Sequence, residues 1–301
     1  MILYVILIVL LCAVIGYSIY QKRKTYQSIN RLLDCVLSQE QIVLSDTEEG
    51  ELSALVSKIN RIQQVLGKQL EQAEDEKEQV KSLVSNMSHQ LKTPLANLSV
   101  YTEILSSHSL TDEKKAETAE KLKKQIDKLD WIISSLSKMV KLEQNVIAFD
   151  INALPIRKTI LDAVDAVYEK AEKKNISLTS EPYDDILLYH NRKWTAEVFV
   201  NLLENALKYT DTGGAIQIKV RPYEIYTEIM FIDNGRGIHE EEIPRIFQRF
   251  YRSPETEHIE GSGIGLYLSS LILEKEKGYI TVKSDYRTGS CFSVFLQNCK
   301  N

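Results

Sequence analysis

The first 20 residues of the chain, MILYVILIVLLCAVIGYSIY, contain no charged side chain. As a helix this segment would span roughly 30 Å, which is about the thickness of the hydrocarbon core of a bilayer. The basic segment QKRK follows at once, and positively charged residues favour the cytoplasmic side. The alternative is a signal peptide, but the charged n-region and the small-residue cleavage site of such a peptide are missing from these residues. The sequence therefore predicts a single transmembrane helix over residues 1–20. Everything after Gln21 is expected in the cytoplasm, with no residues for an extracellular sensor domain.

The composition is typical of globular domains. Of the 301 residues, 44% are hydrophobic and 26% are charged, and the length suggests about two domains. The net charge of −5 provides no basic field for nucleic acid, so we expect no nucleic-acid partner. The four cysteines form no C-x-x-C pair, so neither a disulfide framework nor a zinc site is indicated.

Two amphipathic helices are predicted between residues 52 and 140. Apolar side chains recur at helical spacing over 52–70 and again over 80–98, on either side of the polar run EQAEDEKEQ. The segment SSHSLTDE at 106–113 breaks this pattern and suits a helix N-cap. A second apolar stripe follows at Ala119, Leu122, Ile126, Leu129, Ile133, Leu136 and Val140. Because one hairpin cannot cover both of its apolar seams, we expect a homodimer with a four-helix bundle.

His89 lies off the centre of the first stripe, between Met87 and Leu91, so we expect its imidazole to face solvent. Pro94 follows five residues later. It removes the hydrogen-bond partner of the Gln90 carbonyl, which bends or loosens the helix. A neutral imidazole at cytosolic pH is a good nucleophile. On this segment alone, an exposed nucleophile and an ordinary surface histidine beside a kink are both open.

From about residue 146 the pattern predicts a mixed domain. Strands are expected at VIAFDI, NISLTSE, DILLYH, GAIQIKV, YTEIMFID, YITVKS and CFSVFL, and helices over 155–173, 192–209 and 264–276. A sheet with helices on one face is a two-layer α/β sandwich. We expect His190 to lie at the surface, and Trp131 and Trp194 to be packing residues.

The predicted helix NLLENALKYT carries polar side chains on one face. Asn201 and Asn205 are four residues apart, and Lys208 follows three residues later. Two amides and an ammonium suit a phosphate tail with its Mg²⁺ ion, since Mg²⁺ prefers oxygen ligands.

Two glycine-containing motifs follow. In DNGRGI, Asp233 is a candidate buried acceptor, and the glycines allow the backbone to approach a flat ring closely. GSGIGL precedes a helix, and its glycines free the loop so that N–H groups can meet phosphate oxygens at the helix N-terminus. One such glycine pattern is typical of any loop before a helix, but three motifs in this order indicate a nucleotide site.

In these motifs the chain resembles bacterial two-component sensor histidine kinases. SHQLKTPL is similar to the phosphoacceptor motif of that family, and NLLENALKYT, DNGRGI, IFQRFYR and GSGIGL are similar to its N, first G, F and second G boxes. The resemblance implies a multi-domain chain whose last domain has the Bergerat ATP-binding fold. The implied domains are a transmembrane helix (1–20), a HAMP-like helical linker (21–78), a dimerisation and histidine phosphotransfer domain (79–145) and an ATP-binding catalytic domain (146–301). Within the linker, DTEEGEL resembles the start of the second helix, whereas the usual proline of the first helix is absent.

The resemblance also implies an activity, in which His89 takes the γ-phosphoryl group of ATP and passes it to an aspartate of a cognate response regulator. Asn205 would bind Mg²⁺ with Asn201 beside it, and Asp233 would accept a hydrogen bond from the adenine amino group. The other implied nucleotide-binding residues are Lys208, Tyr209, Gly235, Gly237, Arg249, Gly261, Gly263, Gly265 and Leu266.

Gln90 departs from the family pattern, which has Glu or Asp directly after the histidine. The resemblance implies that this acid assists removal of the imidazole proton. A glutamine can hold the hydrogen bond of the other ring nitrogen but cannot act as a base, so we expect slower autophosphorylation. Thr93, four residues past His89, matches the position that orients water for dephosphorylation of the regulator, so phosphatase activity is a further expectation.

Two alternative functions stay open. One is a non-catalytic signalling scaffold of the same fold, which Gln90 would suit. The other is a related ATP-hydrolysing enzyme, although such enzymes carry a glutamate base where this chain has Asn201, and an amide cannot take a proton from water. The sequence does not name the stimulus, which we expect to arrive through the bilayer, through a partner membrane protein or from the cytoplasm.

Overall fold

The computed structural model describes residues 2–37, 51–106, 111–144, 149–256, 259 and 261–299. The chain divides into two units, Met1–Val84 and Ser85–Asn301. Most of the predicted linker motif DTEEGEL and half of the predicted loop SSHSLTDE lie outside the described residues.

The first unit contains helix α1 (Ile2–Leu37) and the beginning of helix α2 (Glu51–Ser106). Within α1, the segment Tyr4–Gln27 has a mean hydropathy of 2.1 and is not buried. Among the described residues, it is the one helical segment that is long and apolar enough to cross a membrane. The predicted span over 1–20 begins three residues earlier and ends within this segment.

Helix α2 is continuous through the polar run at 71–79 and through Pro94. The two apolar stretches that the sequence separates are therefore parts of one helix. His89 is exposed on this helix, as its position in the stripe predicts, whereas Pro94 is buried.

Helix α3 (Asp112–Glu143) is the second helix of the predicted hairpin. Thr111 is its N-cap, and the Thr111 hydroxyl accepts a hydrogen bond of 3.5 Å from the Lys114 N–H. This cap confirms the helix start that the sequence predicts. Between the helices, the Asn97 amide donates to the Gln125 side-chain oxygen at 3.5 Å.

The apolar face of α3 is broader than the predicted stripe. Three members of the stripe, Ile126, Ile133 and Val140, remain exposed in the single chain. By contrast, Ile132 and Met139 are fully buried although they lie outside the stripe. They are buried because α3 also contacts the C-terminal domain, through helix α6 (Gly265–Lys275).

The C-terminal domain is built on a five-stranded sheet with the order β2-β4-β5-β7-β6. Its strands are β2 (Ser177–Ser180), β4 (Ala215–Pro222), β5 (Tyr226–Asp233), β6 (Tyr279–Asp285) and β7 (Gly289–Gln297). β2 pairs with β4 in parallel, and the other pairs are antiparallel. A separate antiparallel pair joins β1 (Asn152–Pro155) to β3 (Leu187–His190).

Helices α4 (Ile156–Lys173), α5 (Arg192–Tyr209) and α6 cover one face of the five-stranded sheet. Phe199 of α5 packs on Phe231 of β5, with their ring centroids 5.1 Å apart. The alternate residues of the central strands that face this layer are fully or almost fully buried, among them Ile216, Ile218, Ile229, Val294 and Leu296. The predicted two-layer α/β sandwich is confirmed, because one face of the central strands β4, β5 and β7 lies in this core under the helices.

Two expectations for this domain are wrong. The strand predicted at VIAFDI is not present in its described residues 149–151, and β1 begins at Asn152 instead. Phe149 stacks on the Trp194 ring, with 5.5 Å between the ring centroids, so Trp194 is a packing residue as predicted.

The second wrong expectation concerns His190, which was expected at the surface but is completely buried. Its Nε2 lies 2.8 Å from the Thr159 hydroxyl, and burial lowers the pKa of its imidazole.

Candidate functional site

Most of the predicted nucleotide-binding residues surround one cavity of about 410 Å³ in the C-terminal part of the chain. This volume is within the range of small-molecule sites. Helix α5 and the loops after β5 and before α6 supply most of its wall. The predicted residues that line it are Asn201, Asn205, Lys208, Tyr209, Asp233, Gly237, Gly261, Gly263, Gly265 and Leu266.

Helix α5 presents its polar face to the cavity. Asn191 caps this helix, because its side-chain oxygen accepts from the Trp194 N–H at 3.2 Å. The Lys208 ammonium donates to the Tyr209 hydroxyl at 2.9 Å and lies 4.5 Å from the centroid of the Tyr209 ring. The ammonium is therefore held at the cavity wall beside the asparagines, where it can attract an anion.

Asp233 ends β5 and is 8% exposed. Its Oδ1 accepts hydrogen bonds from the Gly235 N–H at 2.9 Å and from the Ser290 N–H at 3.3 Å. Burial raises the pKa of this carboxyl, and the two N–H donors oppose that effect. Because both of these bonds use Oδ1, they fix the carboxylate without using Oδ2, which can accept from a ligand.

Two glycines of the site occupy positions that a side chain would disturb. Gly237 has φ +69°, and a Cβ there would overlap the Asp285 carbonyl. Gly263 has φ +72°, and a Cβ there would lie 2.5 Å from the Phe250 carbonyl carbon. Both positions favour glycine because its φ is unrestricted and it has no Cβ.

Gly235 and Arg249 are predicted site residues that the cavity does not include. Gly235 packs against the Tyr209 carbonyl, 2.5 Å from where a Cβ would lie, so it shapes the wall from behind. Arg249 instead pairs with the Glu143 carboxylate at 2.8 Å, at the end of α3. Its guanidinium also lies 4.9 Å from the centroid of the Tyr267 ring, and the Tyr267 hydroxyl donates to the same carboxylate at 2.8 Å.

Several lining residues were not predicted. From α3, Lys128, Trp131 and Ile132 line the cavity, and Trp131 is 44% exposed rather than packed in a core. Periodicity assigns these residues to a helix face but does not indicate that a second domain lies against that face. A tryptophan at the edge of a predicted seam is the one signal in the sequence that could have suggested this wall.

Arg236, which lies within the motif DNGRGI, is a further lining residue that was not predicted. It pairs with Glu255, which also accepts from the Tyr286 hydroxyl at 3.1 Å and contacts His239 at 3.2 Å. Desolvation acts to raise the pKa of the Glu255 carboxyl, but the hydrogen bonds from Tyr286 and His239 and the charge of Arg236 lower it overall. Part of the positive charge at the cavity is therefore neutralised by this carboxylate.

His89, Gln90 and Thr93 lie on α2 and are not among the residues that line the cavity. His89 and Thr93 are exposed, one helical turn apart on the same side of the helix, and Gln90 is half-buried. The arrangement thus separates an exposed imidazole from a cavity suited to a nucleotide, both within the unit Ser85–Asn301.

Two family models match the chain. The His Kinase A (phospho-acceptor) domain matches residues 79–145, and the histidine kinase-, DNA gyrase B- and HSP90-like ATPase family matches residues 190–299. The first match contains the exposed histidine, and the second contains the residues of α5 and of the two glycine motifs that line the cavity.

The chain is also similar to curated proteins and to solved structures. It is 29% identical over 265 residues to the sensor histidine kinase YcbM of Bacillus subtilis, covering 85% of this chain and 83% of that protein. It is 26% identical over 252 residues to the histidine protein kinase SaeS of Staphylococcus aureus, covering 82% of this chain and 72% of that protein.

Among solved structures, the histidine kinase AdeS of Acinetobacter baumannii aligns with a TM-score of 0.58 at 18% identity, over 70% of this chain and 98% of that one. The histidine kinase ThkA, in a complex with the response regulator protein TrrA, aligns with a TM-score of 0.61 at 18% identity, over 77% of this chain and 66% of that one. At these identities the structures support the fold. The two family models and the sequence relatives support the family itself: the chain belongs to the two-component sensor histidine kinases.

Proposed function

We propose that this kinase transfers the γ-phosphoryl group of ATP to His89, and from there to an aspartate of a cognate response regulator. The observation that carries the proposal is the cavity itself. Residues from three separate motifs, represented by Asn205, Asp233 and Gly263, line one space of about 410 Å³.

The cavity residues fit a nucleotide with its metal ion. Asp233 offers a fixed carboxylate that can accept from the adenine amino group, which selects ATP over GTP because guanine has a carbonyl at that position. Asn201, Asn205 and Lys208 line the cavity and would hold the phosphates, and Asn205 is the proposed Mg²⁺ ligand. When bound, Mg²⁺ neutralises charge on the phosphate oxygens, as in phosphoryl transfer generally.

His89 acts as the nucleophile. Its imidazole is exposed on α2, so the catalytic part of the chain can approach it without unfolding the helix. The family resemblance favours attack by Nε2. Gln90 can hold the other ring nitrogen by a hydrogen bond but cannot remove a proton, so we propose a slow transfer step.

We also propose a phosphatase activity toward the phosphorylated regulator. Thr93 is exposed one turn after His89, so its hydroxyl and the imidazole face the same side of α2. A hydroxyl there can orient a water molecule at the surface where the regulator docks.

The exposed seam of α3 supports a homodimer. Ile126, Ile133 and Val140 are 49%, 57% and 38% exposed in the single chain. Two hairpins that pair through these side chains would remove them from water in a four-helix bundle.

The proposed arrangement along the chain has four parts. They are a membrane anchor (1–20), a HAMP-like helical linker (21–78), a dimerisation and phosphotransfer domain (79–145) and an ATP-binding domain (146–301). The anchor would cross the cell membrane once, with the kinase domains in the cytoplasm, and a partner membrane protein is one source of the stimulus. The apolar segment Tyr4–Gln27 and the basic residues at 22–24 support this orientation.

The test is labelling with γ-labelled ATP and Mg²⁺ of the wild-type chain, of His89→Ala and of Asn205→Ala. We expect label that is acid-labile and base-stable, as a phosphoramidate is, and that is lost in both variants. Label that persists in His89→Ala would refute the assigned acceptor. If the wild type binds ATP without taking label, the scaffold alternative is supported, and steady phosphate release without His89 would support the ATPase alternative.

A further inference from the structure

The side chain of Asn201 is held by a residue that belongs to none of the motifs identified in the sequence. Its Nδ2 donates a hydrogen bond of 2.8 Å to the hydroxyl of Ser269, one turn into helix α6. Ser269 is only 2% exposed. Water therefore cannot easily replace the amide as its partner, so the contact restricts the rotation of the Asn201 carboxamide.

Gly265 makes room for the same carboxamide. A Cβ at this position would overlap Oδ1 of Asn201 and would lie 2.9 Å from its Cγ and 3.0 Å from its Nδ2. Gly265 and Ser269 are four residues apart and share one face of α6. The carboxamide thus lies in a slot on that face, with its nitrogen on Ser269 and its oxygen at Gly265, which lines the cavity.

The slot determines which group Asn201 offers to a ligand. A carboxamide can present an oxygen, which suits a divalent cation, or an N–H group, which suits a phosphate oxygen. Here one N–H is already used by Ser269, while the oxygen is the carboxamide atom nearest to Gly265, a residue that lines the cavity. The contact therefore favours presentation of the oxygen.

We propose that Ser269 is a positioning residue for the binding of the Mg²⁺–nucleotide complex, and that it acts only through Asn201. This inference rests on the proposed function, in which Asn201 lies beside the magnesium ligand Asn205. It adds to that function a residue of α6 that fixes the first asparagine of the site, as residues behind metal ligands commonly do.

The test measures equilibrium binding of trinitrophenyl-ATP, a fluorescent nucleotide, to the full chain in detergent micelles. Titrations with Mg²⁺ and with EDTA are compared for the wild type, Ser269→Ala, Asn201→Ala and the double variant. We expect Ser269→Ala to weaken binding in Mg²⁺ about fivefold, the effect of losing one ordinary hydrogen bond. Binding in EDTA should be unchanged, and the substitution should have no further effect in the Asn201→Ala chain.

Ser270→Ala is the matched control. The Ser270 hydroxyl, on the same helix, donates to the Tyr267 carbonyl at 2.8 Å, so its removal should leave both titrations unchanged. Equal losses in Mg²⁺ and EDTA, or the same fivefold loss in the Asn201→Ala chain, would overturn the positioning role and leave the kinase function intact. A wild-type chain that binds no nucleotide would refute the proposed function, and this inference with it.

Discussion

Glu276 makes the stability of the C-terminal domain depend on pH near neutrality. Its carboxylate is 1% exposed and lies at the N-terminus of α5. It accepts a hydrogen bond from the Asn191 N–H and another from the Thr195 hydroxyl, each 2.9 Å long. Burial raises the pKa of this group from 4.5 to about 7, even though the Asn191 and Thr195 donors oppose that effect.

Because the pKa is higher in the folded state, the folded chain binds more protons than the unfolded chain between pH 4.5 and about 7. The contribution of Glu276 to stability is therefore fully present below pH 4.5 and is lost as pH rises through about 7. At about 1.4 kcal/mol for each pH unit, the free energy of unfolding should fall by about 3 kcal/mol over this range.

Glu276→Gln removes the titration and keeps an oxygen that can accept from both donors. We expect the variant to lose this fall of about 3 kcal/mol and to be more stable than the wild type at pH 8. The assay is urea unfolding from pH 5 to pH 8, followed by the fluorescence of Trp194 in a Trp131→Phe background. Glu274→Gln is the control, since Glu274 is exposed near the end of α6, two residues before Glu276.

Equal slopes of stability against pH in Glu276→Gln and in the parent chain would refute this reasoning. Such a result would mean that the α5 N-terminus and its donors stabilise the charged carboxylate as well as water does. The carboxyl groups with lowered pKa, among them Asp162 and Glu255, titrate below this range and are common to both chains, so they cancel in the comparison.

Three further substitutions test other contacts. Gln90→Glu should raise the initial rate of autophosphorylation in a labelling assay because it supplies a base, and an unchanged or lower rate would count against that role. Asp233→Asn keeps an acceptor for the Gly235 N–H but places an NH₂ group where the adenine amino group would donate. Competition against the fluorescent nucleotide should show ATP bound about 10-fold to 100-fold more weakly, and equal affinity would contradict the adenine contact. Thr159→Val removes the hydroxyl partner of the buried His190 Nε2, while Nδ1 keeps its contact with the Leu188 carbonyl. The change should lower the free energy of unfolding by about 1–3 kcal/mol in urea titrations, whereas no change would show that Nε2 finds another partner.

Patterns among neighbouring residues were sufficient to predict much of the secondary structure of the C-terminal domain. Helix α5 has the predicted bounds, Arg192–Tyr209, because Asn191 provides a cap in the sequence itself. Strand β5 also has its predicted bounds, since the apolar run IMFI at 229–232 ends at the polar Asp233 and the glycine motif that follows it. The motifs of the cavity follow from these two elements and from the glycines next to them.

Contacts between residues far apart in the sequence could not be predicted from such local patterns. Arg249 belongs to a recognisable motif, yet its partner is Glu143, on another helix. His190 was predicted at the surface because the residues next to it in the sequence do not indicate that Thr159, 31 residues earlier, is its hydrogen-bond partner. Ser269 is an ordinary helix residue by propensity, and only the fold brings it to Asn201.

The wall that α3 contributes to the cavity has a practical consequence for inhibitor discovery. Lys128, Trp131 and Ile132 would be missing from a fragment that begins after residue 144. Compounds selected on such a fragment would be optimised for a wider opening than the intact chain presents. Screening should therefore use material that includes both hairpin helices, and compounds that contact the Trp131 ring would gain a means of discriminating between this kinase and other ATPases of the same fold.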